Sequence, residues 1–302
     1  KKGHGEGIGN FLCYGDFPGD GIWRTENLLI PRGVILDRDL SQLHDVDLHA
    51  EDQIQEYVSH AWYEYEGGKN QGLHPYDGET KLAYDGPTPP FDHLDRESSY
   101  SWLKSPRWRG KAMEVGPLAR VLTLYAAGHE PTRELATMAL KQLDLPLEAM
   151  FSTGGRLASR TLESKIIADE MSTWFDNLMS NINAGDTRTH NNEMWEPESW
   201  PKEARGAGYM EAPRGALGHW IVIKNEKIAN YQAVVPSTWN AGPRDQEGQP
   251  GPYEASLVGH ELAVPDQPLE ILRTIHSFDP CLACAVHVAD KDGKNSVEIK
   301  IG

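Results

Sequence analysis

The stretch Asp279-Pro280-Cys281-Leu282-Ala283-Cys284-Ala285-Val286-His287 puts two of the chain's three cysteines, and a histidine, at the spacing of a metal site. Thiolate and imidazole are the soft and borderline ligands that hold nickel, zinc and iron. Two intervening residues let both sulfurs turn toward one ion, and the histidine three residues on follows on the next turn. Ligands this close hold a metal only if others arrive from elsewhere. The third cysteine, Cys13, stands alone between Leu12 and Tyr14 and reads as a small buried hydrophobe. His60 and His74 have no companion at ligand spacing, so they read as exposed or hydrogen-bonded residues, not ligands.

A short helix over 269–276, set off by Pro265-Asp266-Gln267-Pro268, delivers the motif. Upstream, 219–224 and 228–236 flank a turn at Asn225-Glu226-Lys227 and read as a β-hairpin. Three helices come before it. Residues 117–125 stop at Gly128, 132–142 form the second, and the strongest runs from about 157 to 182 with Gly185 as its stop. In that third helix Ala158, Leu162, Ile166, Met171, Phe175, Leu178 and Ile182 recur near every fourth residue, a stripe that reads as core packing. At about 39 Å it is long enough for a bundle. Residues 1–100 are rich in Gly, Pro, Asp and aromatics, with short strands such as 33–36, and 63–90 read as an ordered surface excursion. The tail 288–302 alternates weakly through Val297, Ile299 and Ile301. The elements give an α+β fold, predominantly α, with a long-helix bundle core and small peripheral β-sheets.

The chain has 302 residues, 39% of them hydrophobic, with nine tryptophans, which excludes a disordered polypeptide. A formal charge of −16 argues against nucleic acid, whose phosphates need Lys and Arg. Three cysteines make no disulfide framework. There is no apolar run of spanning length and no signal peptide pattern. The chain opens on Lys1 without an initiator Met and reads as a processed or truncated product, or the C-terminal piece of a longer protein.

Three further segments stand in register with the cysteine motif. They are Glu114-Val115-Gly116-Pro117-Leu118-Ala119-Arg120, Glu211-Ala212-Pro213-Arg214-Gly215-Ala216-Leu217-Gly218-His219-Trp220 and Val234-Val235-Pro236-Ser237-Thr238-Trp239-Asn240. In order and spacing they closely resemble the large subunit of [NiFe] hydrogenases, nearest the membrane-associated uptake group. CxxCxxH alone would be weak; the segments together are specific.

The resemblance implies the [NiFe]-hydrogenase large-subunit fold, with 1–302 as the C-terminal portion of one domain. It implies a nickel held by four thiolates and an iron carrying carbon monoxide and two cyanides. Cys281 matches the terminal nickel ligand and Cys284 the bridging one. His287 matches a ligand of a nearby magnesium ion, with the backbone carbonyl of Ala233. Arg214 matches the arginine over the metals and Asp279 the carboxylate that pairs with it, satisfying an otherwise costly buried charge. Pro213, Val235, Pro236 and Ser237 match the surroundings of the cyanides, which need donors in a dry site. The implied reaction is the reversible heterolytic splitting of dihydrogen into protons and electrons. Two bases compete for the proton, the Cys281 thiolate and Arg214, and arginine resists deprotonation.

The family's other two nickel cysteines come from an RxCGxCxxxH motif that this sequence lacks, as it lacks the N-terminal proton-transfer glutamate. The rest of the large subunit is therefore an implied partner. An iron–sulfur small subunit must take the electrons, since too few cysteines remain for clusters here. Several tryptophans are candidates for its interface, each otherwise a core residue. A membrane cytochrome b, a maturation endopeptidase that cuts after His287, and a place on the periplasmic side of the cytoplasmic membrane, reached by export with the small subunit, also follow from the resemblance. Residues 288–302 would then be a C-terminal propeptide. Two other readings stand beside it: a structural zinc module, which leaves Arg214 and Ser237 without a reason, and a non-catalytic hydrogen-sensing relative. A cysteine-free relative in quinone reductases is disfavoured by the two cysteines present.

Overall fold

The computed structural model describes residues 4–19, 25–88, 95, 97–281, 286–289 and 296–299. Its first third is a patchwork of short antiparallel pairs. β1 (Phe11–Cys13) pairs with β4 (Gly33–Ile35), β2 (Asp16–Pro18) with β3 (Leu28–Ile30), β5 (Ile54–Tyr57) with β8 (Ser105–Trp108), and β6 (Tyr63–Glu64) with β7 (Lys81–Leu82). The segment between β6 and β7 is ordered by buried residues. His74 caps a short 3-10 turn by accepting from Tyr76 N at 3.2 Å, while His60 Nδ1 lies 2.9 Å from Arg244 O. Cys13 is fully buried, as its apolar neighbours suggest.

Three helices follow. α1 (Pro117–Ala126) opens with proline at its first position, where no backbone N–H is needed. Every residue from Pro117 to Leu124 is buried, so α1 is a central strut rather than an amphipathic surface helix. α2 (Glu130–Gln142) and α3 (Thr153–Asn183) pack against it. Ser152 caps α3 by accepting from Gly155 N at 3.1 Å.

Of the expected long-helix bundle the chain supplies one long member, α3 with 31 residues; α2, the next, has 13. The stripe along α3 also divides. Ile166 is buried, but Met171 is 62% exposed, Phe175 61% and Leu178 55%. The expectation of core packing thus holds for the first half only. Beyond residue 166 Trp174 still stacks on Phe17 of β2, 5.0 Å between ring centroids, but the face that carries Met171, Phe175 and Leu178 is left more than half exposed in the described chain.

The main sheet has three antiparallel strands in the order β11-β10-β9: β9 (Glu203–Ala212), β10 (Gly215–Lys224) and β11 (Lys227–Val234). The expected hairpin is β10–β11. Its turn is two residues, Asn225 and Glu226, both at positive φ (51° and 61°), the geometry that matches strand twist. Lys227, assigned to the turn from sequence, pairs with Lys224 instead. Three short helices, α4 (Pro236–Ala241), α5 (Pro252–Leu257) and α6 (Leu269–Ser277), lead to a last antiparallel pair, β12 (Val286–Ala289) and β13 (Ser296–Ile299).

The largest apolar cluster lies among the sheet, the N-terminal strands and α4, with Trp220, Trp239, Tyr14, Trp108 and Met113 at its centre. A second, around Phe11, Leu118, Leu122 and Phe151, sits beneath α1 and α2. The core is therefore built as much on strands as on helices. Of the tryptophans, Trp62, Trp108, Trp220 and Trp239 are core residues, whereas Trp102, Trp195 and Trp200 are exposed.

Candidate metal centre

One end of the main sheet gathers the residues singled out from sequence. Ala212 of β9 pairs with Gly215 of β10, leaving Pro213 and Arg214 as the two-residue tip between them. Gly215 makes that tip possible. Its φ is 130°, and a Cβ there would stand 2.5 Å from Gly116 N. β11 runs to the same end and passes through Val235 into α4, whose first residue is Pro236. Ser237 follows and is buried, whereas Pro213 and Val235 are exposed.

α6 brings the third segment. Phe278 caps it, and Asp279 turns left-handed (φ 57°) and donates its N–H to His276 O at 2.9 Å. Pro280 then bars any continuation of the helix. This break aims the chain at the sheet. Arg214 Nε donates to Asp279 O at 2.8 Å and lies 3.5 Å from Asp279 Oδ2. The Cys281 N–H donates to Ser237 Oγ at 3.3 Å. The Cys281 side chain is exposed. Arg214, Ser237, Asp279 and Cys281 come from three separate stretches and meet here.

The expected Arg214–Asp279 pair is thus present, with two differences. It is not buried, the side chains being 36% and 42% exposed. Its main hydrogen bond goes to the Asp279 backbone carbonyl, because the left-handed turn points that carbonyl at the guanidinium. Among the described residues, the two terminal nitrogens of Arg214 and the hydroxyl proton of Ser237 have no acceptor.

Cys284 lies outside the described residues, and of His287 only the backbone is described, in β12 opposite Glu298. Ala233 is exposed near the end of β11, in register with His219. No group of three or more metal-binding side chains occurs among the described residues.

Behind the tip lies a residue that sequence reasoning quoted but gave no role. Arg120 of α1 is buried and uses all five guanidinium N–H groups. Nε and Nη2 grip Glu163 of α3, Nη2 at 2.9 Å; Nη1 donates to Glu211 Oε2 at 3.0 Å and Ala212 O at 2.8 Å; Nη2 also donates to Pro213 O at 3.0 Å. The available signal was a charge inside an otherwise apolar helix. Burial alone would lower the Arg120 pKa, but Glu163 and Glu211 reverse this and raise it. Glu211 is pushed up to about 7 by burial, against the pull of Arg120 and of the Tyr14 N–H at 2.6 Å. β9, the strand that carries Glu211, was also missed, since its glycines and alanines are poor strand formers.

The model of the family described as nickel-dependent hydrogenase matches residues 1–287. The chain belongs to this family. Among relatives of this hydrogenase chain, the uptake hydrogenase large subunit of Bradyrhizobium diazoefficiens is 49% identical over 297 residues, covering 96% of this chain and 50% of that protein. The hydrogenase-1 large chain of Escherichia coli is 46% identical over 296 residues, 96% of this chain and 49% of that one. Among solved structures, the H2-activated [NiFeSe]-hydrogenase of Dm. baculatum matches with a TM-score of 0.72 at 30% identity, covering 92% of this chain and 52% of that one. The fold is therefore that of hydrogenase large subunits. The chain spans about half the length of the curated relatives it matches.

Proposed function

We propose that this chain is the C-terminal portion of the catalytic large subunit of a [NiFe] hydrogenase that splits dihydrogen reversibly into protons and electrons. The observation that carries the reading is the meeting of Arg214, Ser237 and Cys281 at one sheet end, inside a family match that runs to His287. The donors fit the group. Two guanidinium nitrogens and a serine hydroxyl with no acceptor among the described residues suit anionic ligands, and an exposed thiol beside them suits a soft metal.

In this reading Cys281 and Cys284 would supply two nickel thiolates, and the rest of the large subunit two more. Arg214 and Ser237 would donate to the anionic ligands of such a group, with Val235 beside them and Pro213 and Pro236 stiffening the backbone. The Ala233 carbonyl and His287 would hold the magnesium ion that the family resemblance implies. When bound, the nickel–iron centre supplies the redox and heterolytic chemistry for dihydrogen. Arg214 would orient the group through its planar fork of donors. Asp279 fixes Arg214 through its carbonyl and carboxylate, and the Cys281 sulfur is the proton acceptor. The electrons leave through an iron–sulfur small subunit and a membrane cytochrome b, on the periplasmic side of the membrane.

Residues 288–302 are the segment a maturation endopeptidase removes. The end of the family match at His287 supports this. Mass spectrometry of the nickel-loaded subunit should find an end at His287; a retained tail in fully active enzyme refutes the processing step.

The test of the function uses the full-length large subunit with its iron–sulfur partner, purified without oxygen. Nickel and iron content and hydrogen-dependent dye reduction are measured for the wild type and Cys281→Ser. We expect nickel with iron and dye reduction in the wild type, and loss of both nickel and dye reduction in the variant. Zinc alone in the wild type, or unchanged dye reduction without nickel, overturns the reading.

A further inference from the structure

Two buried arginine–glutamate pairs cross between α1 and α3. In one, Arg120 of α1 reaches Glu163 of α3. In the other, Arg156 in the first turn of α3 reaches back to Glu114, just before α1, with Nε–Oε1 at 2.7 Å and Nη2–Oε2 at 2.9 Å. All four side chains are at least 90% buried. Each pair has a second grip. Arg120 holds the carbonyls of Ala212 and Pro213, directly before Arg214. Arg156 donates to Gly5 O at 2.7 Å and lies flat on the Phe278 ring, 3.9 Å from its centroid, directly before Asp279.

We propose that Arg120 and Arg156 are positioning residues. Working through the backbones of Pro213 and Phe278, they set how Arg214 meets Asp279 and the Cys281 segment. The inference rests on the hydrogenase reading for its readout.

Burial of the ion pairs does not by itself explain arginine here. Buried pairs can often be replaced by apolar residues of similar volume without loss of stability. What the guanidinium adds is a rigid planar fork. Arg120 satisfies five acceptor contacts in one plane, two of them the carbonyls at the hairpin tip. Lysine keeps the charge but has three donors on a flexible stem, so at least two of those contacts must go. Similarly, Arg156 stacks on Phe278 with a flat face that an ammonium lacks. Both forks stand on α1 and α3, rigid elements that bear on the two halves of the site from behind. A displacement of the order of 1 Å at a reacting group costs about a hundredfold in rate.

The test uses the complete enzyme, large subunit with partner, carrying Arg120→Lys or Arg156→Lys. Ile166→Val, in α3 and packed in an apolar cluster with Cys13, Ile30 and Leu124, controls for loosening of the fold. Infrared bands of the iron-bound cyanides report the donors around them; kcat, KM, nickel content and melting temperature are measured alongside. The lysine variants should bind nickel and show displaced or broadened cyanide bands, with kcat down about tenfold to a hundredfold and KM unchanged. Ile166→Val should keep wild-type bands whatever its melting temperature. Wild-type bands and kcat in both lysine variants overturn the proposal. Should a lysine variant fail to assemble, Glu163→Gln, which weakens the grip on Arg120 while keeping its shape, decides: displaced bands support the clamp and wild-type bands refute it. A wild-type enzyme without cyanide bands would instead sink the hydrogenase reading.

Discussion

Glu211 offers a test of the fold that needs no metal. Its side chain is buried, accepts from the Tyr14 N–H at 2.6 Å and Arg120 Nη1 at 3.0 Å, and has a pKa pushed up to about 7 from an ordinary 4.5, chiefly by burial. Below the ordinary value the carboxyl is protonated in folded and unfolded chains alike. As pH rises toward 7 the unfolded chain ionises while the fold keeps the proton, so stability falls; above that it levels off. At about 1.4 kcal/mol per pH unit, the window costs about 3 kcal/mol. Glu211→Gln keeps the shape and an acceptor but does not titrate. Urea unfolding of both proteins, followed by tryptophan fluorescence, isolates the effect as a difference. From about pH 5 to about pH 8 the wild type should lose about 2–3 kcal/mol relative to Glu211→Gln. A difference that stays flat, or moves the other way, refutes the reasoning; the latter would mean that Arg120 and the Tyr14 amide outweigh burial and hold Glu211 ionised.

Two other substitutions probe the geometry that presents Arg214. Gly215→Ala puts a Cβ 2.5 Å from Gly116 N and 2.7 Å from Val115 Cγ2 at a φ of 130°, so neither the new side chain nor the backbone can yield. It should cost about 3 kcal/mol or more in urea unfolding, and unchanged stability would show that the tip is not clamped against α1. Asn240→Leu removes an amide that accepts from Val115 N at 3.0 Å and donates to Val115 O at 2.9 Å in the core. Two buried backbone groups lose their partner at similar side-chain volume, for an expected loss of about 2–5 kcal/mol, measured the same way.

The helices were legible because their signals are local. Proline before Leu118 marks where α1 begins, and glycine at 128 and 185 marks where α1 and α3 stop. The hairpin was legible from β-branched runs around Asn225-Glu226. β9 was not, because Ala204-Arg205-Gly206-Ala207-Gly208 gives no alternation and is held as a strand by pairing with β10 along its whole length. The α3 stripe shows a different limit. Periodicity tells which face is apolar, not what meets it, and Met171, Phe175 and Leu178 stay more than half exposed in the described chain. The site was legible as motifs, yet its construction was not. The left-handed Asp279 and the donor fork of Arg120 are properties of backbone paths that only the fold brings together.

The exposure of Arg214 and Asp279 bears on what their pairing can do. Two charges about 3.5 Å apart attract by about 1 kcal/mol in water but about 5 kcal/mol at an effective dielectric near 20. With side chains 36% and 42% exposed, the pair in this chain alone sits nearer the weak limit. A guanidinium there is a solvated cation held mainly by one carbonyl. Covering the sheet end would strengthen every interaction at once: Arg214 with Asp279, and the donors of Arg214 and Ser237 that find no acceptor among the described residues with any anionic ligand beside them. The chain therefore fixes the direction of these donors through α1, α3 and the hairpin tip, while their strength depends on what excludes water from Cys281. Direction built into α1, α3 and the hairpin tip explains how these donors are held in place although the Arg214 and Asp279 side chains are partly exposed.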